Sequence, residues 1–132
     1  MRRYLVDTHV WLWMQVDPAR IGARALGLIE DRATELFLSA ASSWEISIKF
    51  RLGKLHLPKP PAVYVPDRMR RSATHPLPVE HDHALRVAEL PVHHRDPFDR
   101  LLVAQAQALD IPIVTADDQF KPYDVEIVAA RG

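Results

Sequence analysis

The chain has 132 residues, balanced at 17 Lys and Arg against 17 Asp and Glu, with no Cys, 11 Pro and 48% apolar residues. That apolar content excludes a disordered chain, and the missing Cys excludes a disulfide scaffold, a thiolate zinc site and a cysteine nucleophile, which is compatible with a reducing cytoplasm. The length suits a single domain over residues 1–132, no apolar run approaches the roughly 18 residues of a membrane span, and Asp7 comes too early for a secretory leader.

Tyr4-Leu5-Val6 is a short run of β-formers stopped by Asp7 and reads as a buried strand. Val10 to Met14 begins a helix, and a second follows Pro18, with Ile21, Ala25, Leu28 and Ile29 at helical spacing. Leu36-Phe37-Leu38 reads as another buried strand, ending at Ser39. Ala40 to Leu52 reads as a helix with Trp44, Ile48 and Leu52 on one stripe and Gly53 placed to stop it. Pro58, Pro60, Pro61 and Pro66 mark a loop and a helix start, and the basic cluster Arg68, Arg70, Arg71 follows. Residues 74–79 are extended, a short edge strand given their prolines. Glu80 to Leu90 has a helical pattern, and Asp96-Pro97 opens a strong helix through Leu101, Leu102, Ala104, Ala106, Ala108 and Leu109. Ile111 to Val114 and Val125 to Val128 read as the last two strands. Strands alternating with helices predict an α/β fold with a mainly parallel sheet, whose ligands bind outside the carboxyl ends of the strands.

That rule selects acids. Asp7 follows the first strand, and Asp117, with Asp118 beside it, follows Ile113-Val114-Thr115. Asp96 and Asp99 lie in the first turn of one helix and Glu45 in the first half of another. Carboxylates converging in a partly dry pocket repel and raise one another's pKa, and a divalent cation relieves this. Mg²⁺ and Mn²⁺ prefer oxygen ligands. Each acid also has a local explanation. Asp96 can be an N-cap with Asp99 favoured by the helix dipole, Glu45 can complete a capping box with Ser42 or pair with Lys49, and Asp117 can be a turn residue. Asp7 is the hardest to explain locally, because an acid terminating an apolar first strand rarely helps packing.

The order of these segments resembles the PIN-domain ribonucleases, and among them the VapC toxins of prokaryotic toxin–antitoxin pairs. The matching stretches are Tyr4-Leu5-Val6-Asp7-Thr8-His9-Val10-Trp11-Leu12-Trp13, Ser43-Trp44-Glu45-Ile46-Ser47-Ile48-Lys49, His94 through Ala106 around Asp96-Pro97-Phe98-Asp99, and Val114-Thr115-Ala116-Asp117-Asp118-Gln119-Phe120. The resemblance implies a three-layer α/β/α domain on a central, mainly parallel sheet of four to five strands. It implies Asp7 and Asp99 as core Mg²⁺ ligands, with Glu45 and Asp117 binding directly or through water. Asp96, three residues ahead of Asp99, can cap, bind metal or do both, and Asp118 has no firm counterpart. Thr8 and Thr115 would orient ligands or water from behind. The implied reaction is hydrolysis of RNA to a 5′-phosphate and a 3′-hydroxyl, with Mg²⁺ or Mn²⁺ as cofactor. The implied partners are a second copy of the chain and a VapB-type antitoxin.

Two further signals are weaker. The seven histidines do not form a zinc pattern, since His81 and His83 would point to different helix faces and His93-His94 are sequence neighbours, although His9 and His94 can line a substrate groove. Trp11, Trp13 and Trp44 can stack on bases, or serve core and interface. A haloacid-dehalogenase-like phosphatase would need a second acid where His9 stands, and a receiver domain would need a late Lys that is absent. The remaining rival is a catalytically idle PIN-like domain that binds RNA or protein, and the complete acid set favours the enzyme.

The zero net charge is a sum of opposed halves, 12 Lys and Arg against 7 acids in residues 1–72 and 5 against 10 in residues 73–132. Metal would neutralise acids of the second half, which leaves Lys49, Arg51, Arg70 and Arg71 in the first as the expected phosphate contacts.

Overall fold

The computed structural model describes residues 2–131. Five strands, β1 (Arg2–Val6), β2 (Thr34–Ser39), β3 (Thr74–Leu77), β4 (Ile113–Thr115) and β5 (Ile127–Ala129), form one sheet in the order β3-β2-β1-β4-β5. Every pairing is parallel, with Leu5 opposite Phe37 on one side and Ile113 on the other. The helices are α1 (Thr8–Val16), α2 (Ala23–Glu30), α3 (Ala40–Arg51), α4 (Pro61–Arg71), α5 (His81–Arg86) and α6 (Pro97–Leu109).

The period of two along each strand builds two separate cores. Tyr4, Val6, Leu36, Leu38 and Val114 point to one face, where they pack with Val10 and Trp11 of α1, Ala25 of α2, Ile46 of α3 and Tyr64 and Val65 of α4. Leu5, Phe37 and Ile113 point to the other, against Leu102, Val103 and Ala106 of α6. Both faces are covered, so the strands read as continuous apolar runs, and the architecture is three-layered. The edge position of β3 accommodates Pro76, which has no N–H to give a further strand.

The chain steps from β1 to β2 to β3 in one direction, then crosses back to place β4 on the far side of β1. A crevice opens where the winding reverses, outside the carboxyl ends of β1 and β4. Helix α3 contributes to it in an unusual way. Its N-cap Ser39 accepts from the Ala41 N–H (3.0 Å), and Gly53, at φ 73°, closes its far end. Between them the inward face is Ala41, Ser42, Glu45 and Ile46, while Trp44 and Leu52 are more than 60% exposed. The apolar stripe read from the sequence therefore faces outward, and a glutamate faces in. Among the described residues, no helix is long and apolar enough to cross a membrane.

Candidate metal centre

Each acid reaches the crevice because a local structural rule places it there. The β1–β4 ladder continues into Asp7, whose N–H donates to the Val114 carbonyl (3.0 Å). Asp7 is the N-cap of α1, yet its side chain makes no capping bond. It turns instead to Thr115, which donates its hydroxyl to Asp7 Oδ2 at 2.7 Å. The Thr115 hydroxyl also accepts from the Asp117 N–H (3.0 Å), so one side chain links the ends of both strands. Asp117 Oδ1 caps the short turn 118–120 by accepting from the Gln119 N–H (2.9 Å). Asp96 N-caps α6 through Oδ1, which accepts from the N–H groups of Phe98 (2.8 Å) and Asp99 (3.2 Å). Pro97 at the first helical position suits this start, and Asp99 is left one turn inside, facing the crevice.

Glu45 is 2% exposed, and Asp7 only 3%. Lys49 Nζ lies 2.7 Å from Glu45 Oε2. The Thr8 hydroxyl donates to Ser42 Oγ (2.7 Å), pinning the first turn of α1 to α3 directly before Glu45. Asp7 Oδ1 and Glu45 Oε1 are buried with no hydrogen-bond partner. Buried carboxylate oxygens without donors are costly, and they are what a bound cation would satisfy.

The electrostatics agree with that geometry. Burial, then the charges of Asp7, Asp96, Glu45 and Asp117, push the Asp99 carboxyl up to about 8. Burial also raises Asp7, opposed by the Thr115 hydrogen bond and His9. Burial pulls the Lys49 ammonium down, but its bond to Glu45 and the nearby acids outweigh this and raise it overall. Carboxylate oxygens with an excess of negative charge fit a hard divalent cation.

Asp99 and Asp117 lie together with His94, their candidate ligand atoms within 4.8 Å of one another, and the charges of Asp7 and Glu45 both act on Asp99, with Lys49 attached to Glu45. Asp96 uses one oxygen as a helix cap. Thr115 contacts Asp7, whereas the Thr8 hydroxyl is committed to Ser42. Glu45 pairs with Lys49, and Ser42 makes no capping box with it. Arg51 is exposed at the end of α3. Arg70 and Arg71 do not join the cluster. They occupy the last turn of α4, which returns the chain to the amino-terminal edge of the sheet, and both pair with Asp67 (3.5 and 3.1 Å). Beside Glu45 a groove of about 380 Å³ is lined by Thr8, His9, Leu12, Glu45, Lys49 and Lys54, among others.

Of the three tryptophans, Trp11 is fully buried and Trp13 lies under Arg20 (4.5 Å), while exposed Trp44 meets Phe98 edge-on (5.2 Å). His94, expected from the sequence only to line a substrate groove, is itself a member of the cluster. His94 Nε2 lies 3.0 Å from both Asp99 Oδ2 and Asp117 Oδ2. The available signal was its position two residues before a helix N-cap, where a ring Nδ1 can accept from the backbone.

Comparison with known proteins agrees with this architecture. The family model described as "PIN domain" matches residues 4–126. Ribonuclease VapC16 of Mycobacterium tuberculosis is 57% identical over 56 residues, which cover 42% of this chain and 40% of that protein. The chain therefore aligns with well under half the length of that curated relative. A VapBC2 structure from Rickettsia felis, bound to a promoter DNA fragment, superposes with a TM-score of 0.72 at 13% identity, covering 96% of this chain and 98% of that one. DNA-bound VapBC from Salmonella typhimurium gives 0.69 at 15% identity over 98% of both chains.

Proposed function

From the premise that this chain belongs to the PIN-domain family, we propose that it is a divalent-metal-dependent endoribonuclease and the VapC-type toxin of a toxin–antitoxin pair. The observation that carries the reading is the pair of orphaned oxygens, Asp7 Oδ1 and Glu45 Oε1, beside an Asp99 whose carboxyl titrates at about 8. Four carboxylates arranged this way lower the stability of the fold unless a cation joins them.

Asp7, Glu45, Asp99 and Asp117 would hold Mg²⁺, or Mn²⁺ in its place. The bound ion supplies charge neutralisation at the phosphodiester and a lowered pKa for an attacking water. Thr115 holds Asp7 in one rotamer, with Oδ2 occupied and Oδ1 free. Lys49 neutralises the outer oxygen of Glu45 and keeps an ammonium at the groove, where a phosphate of the substrate would lie. The upward push on Asp99 from burial and the neighbouring acids would be relieved by a cation held among them. Lys54, which lines the groove beside Glu45, joins Lys49 and Arg51 as an expected backbone contact.

The outward stripe Trp44, Ile48, Leu52 supports a protein partner, since exposed apolar residues in a row at helical spacing are costly to leave in water. A second copy of the chain and a VapB-type antitoxin are the partners we assign to this domain. The direct test incubates purified protein with 5′-labelled RNA in Mg²⁺, in Mn²⁺ and with chelator. Cleavage products bearing 5′-phosphates in metal alone are expected. RNA left intact in both metals would overturn the reading in favour of an idle binding domain.

A further inference from the structure

His94 has no part in the reading above, and the structure has invested heavily in holding it. The residue is 6% exposed and lies in the irregular segment between α5 and α6. Its ring meets Phe120 edge-on (5.6 Å), and its own N–H donates to the Tyr123 hydroxyl at 2.8 Å, as does that of His93 at 3.1 Å. Arg100, one residue past Asp99, donates to the carbonyls of Pro91 (3.1 Å), Val87 (3.0 Å), Leu90 (3.4 Å) and His94 itself (3.5 Å). One guanidinium therefore fastens the whole approach to His94.

The ring's two nitrogens have distinct tasks. Nδ1 accepts from the Asp96 N–H (3.1 Å), so it carries no proton. In the neutral ring the proton is then on Nε2, which donates between Asp99 Oδ2 and Asp117 Oδ2. Binding a metal through Nε2 would require that proton to move to Nδ1, where it would confront the N–H of Asp96, donor against donor. The backbone thus sets a cost against ligation by this nitrogen and favours donation. Without the donor, nothing would bridge Asp99 Oδ2 and Asp117 Oδ2, and the two groups would repel each other once both are ionised.

We propose that His94 is a positioning residue of the metal centre and not one of its ligands: its Nε2–H ties Asp99 to Asp117 and presents their carboxylates, with Asp7 Oδ1 and Glu45 Oε1, to a divalent cation. The proposal rests on the metal reading above and assigns the acid set a donor of its own. It also explains why the fastening runs through Arg100 and Tyr123: a misplaced imidazole would release both carboxylates at once.

The test uses the full chain and Mn²⁺ alone, with no RNA. By calorimetry, His94→Ala should weaken Mn²⁺ affinity about 10- to 100-fold, as loss of a group that orients metal ligands commonly does. His94→Gln, whose amide N–H reaches to about the same place, should recover most of that loss. Pulsed EPR of Mn²⁺ on the wild-type protein should show no coupling from a directly bonded imidazole nitrogen. Such a coupling, present in wild type and lost in His94→Gln, would overturn the proposal by making His94 a ligand. Wild-type affinity in a folded His94→Ala would overturn it as well. Should the alanine variant fail to fold, His94→Gln and the EPR of the wild type decide alone. A wild-type protein that binds no Mn²⁺ would instead refute the metal reading itself, an outcome distinct from the other two.

Discussion

Toward the amino-terminal edge of the sheet, Arg70 and Arg71 straddle Asp67, Asp31 accepts from the Ala33 N–H (2.9 Å), and Glu35 lies 4.0 Å from His75 on the neighbouring strand. These groups are open to water. At the carboxyl edge, a few residues away along the same strands, Asp7 and Glu45 are buried with one orphaned oxygen each and Asp99 is pushed up to about 8. The first arrangement is electrostatically cheap and contributes little, because exposed pairs are screened. The second is expensive, and nothing in local helix or strand stability calls for burying Asp7 and Glu45 with unpartnered oxygens. A fold tolerates such a cluster when a ligand offsets the cost, since whatever binds only the native state stabilises it.

Substitutions at the two edges should therefore have opposite outcomes. Asp7→Asn or Asp99→Asn should reduce metal-dependent RNA cleavage by at least about 100-fold, more than loss of a group that only orients ligands. Both should also raise the melting temperature of the metal-free protein at pH 8, because a neutral amide removes buried like-charge repulsion. A variant with wild-type cleavage would erase the contrast between the edges. Thr115→Val, which keeps the shape and removes the donor to Asp7, should weaken Mn²⁺ binding about 10- to 100-fold with the fold intact, read by calorimetry.

The pH dependence follows from the sign of the Asp99 shift. Burial and the neighbouring acids push its native carboxyl up to about 8 from an ordinary 3.8, so between those values the native state holds more protons than the unfolded one. The stability of the metal-free protein should fall as pH rises through that window and level off above about 8. The raised carboxyl of Asp7 acts in the same direction. Thermal unfolding from pH 5 to pH 8.5 should show the fall in wild type and a shallower one in Asp99→Asn. At the other edge, Arg70→Ala and Arg71→Ala should each change stability by no more than about 0.5 kcal/mol and leave cleavage unaltered. A loss of cleavage there would carry the RNA path across the sheet and blur the comparison.

Much of this was legible in the residues. The apolar run stopped by Asp7 marks β1, the run Ile111 to Val114 marks β4, and strands alternating with helices make the positions after them a candidate site. Asp96-Pro97-Phe98-Asp99 specified both a helix start and an inward acid, because capping and dipole preferences coincide with the site's need. What could not be read depends on packing. The stripe Trp44, Ile48, Leu52 looks like a core face by periodicity, yet α3 turns it outward because small Ala41 and Ser42 admit the close approach of α1. Arg70 and Arg71 are basic at either end of a helix; only the return of α4 to the sheet decides which edge they occupy. His94 was one histidine among seven, and its task depends on a tautomer fixed by a single backbone N–H.

The central claim is that the carboxyl-edge acids form a cation site held at a cost to the metal-free fold. Thermal unfolding of wild type and Asp99→Asn with increasing Mn²⁺, at pH 6 and pH 8, tests it most directly. The account predicts a progressive rise in wild-type melting temperature, larger at pH 8 where Asp99 gives up its proton more readily, and little rise in the variant. An unchanged wild-type melting temperature, or an equal rise in Asp99→Asn, would contradict it.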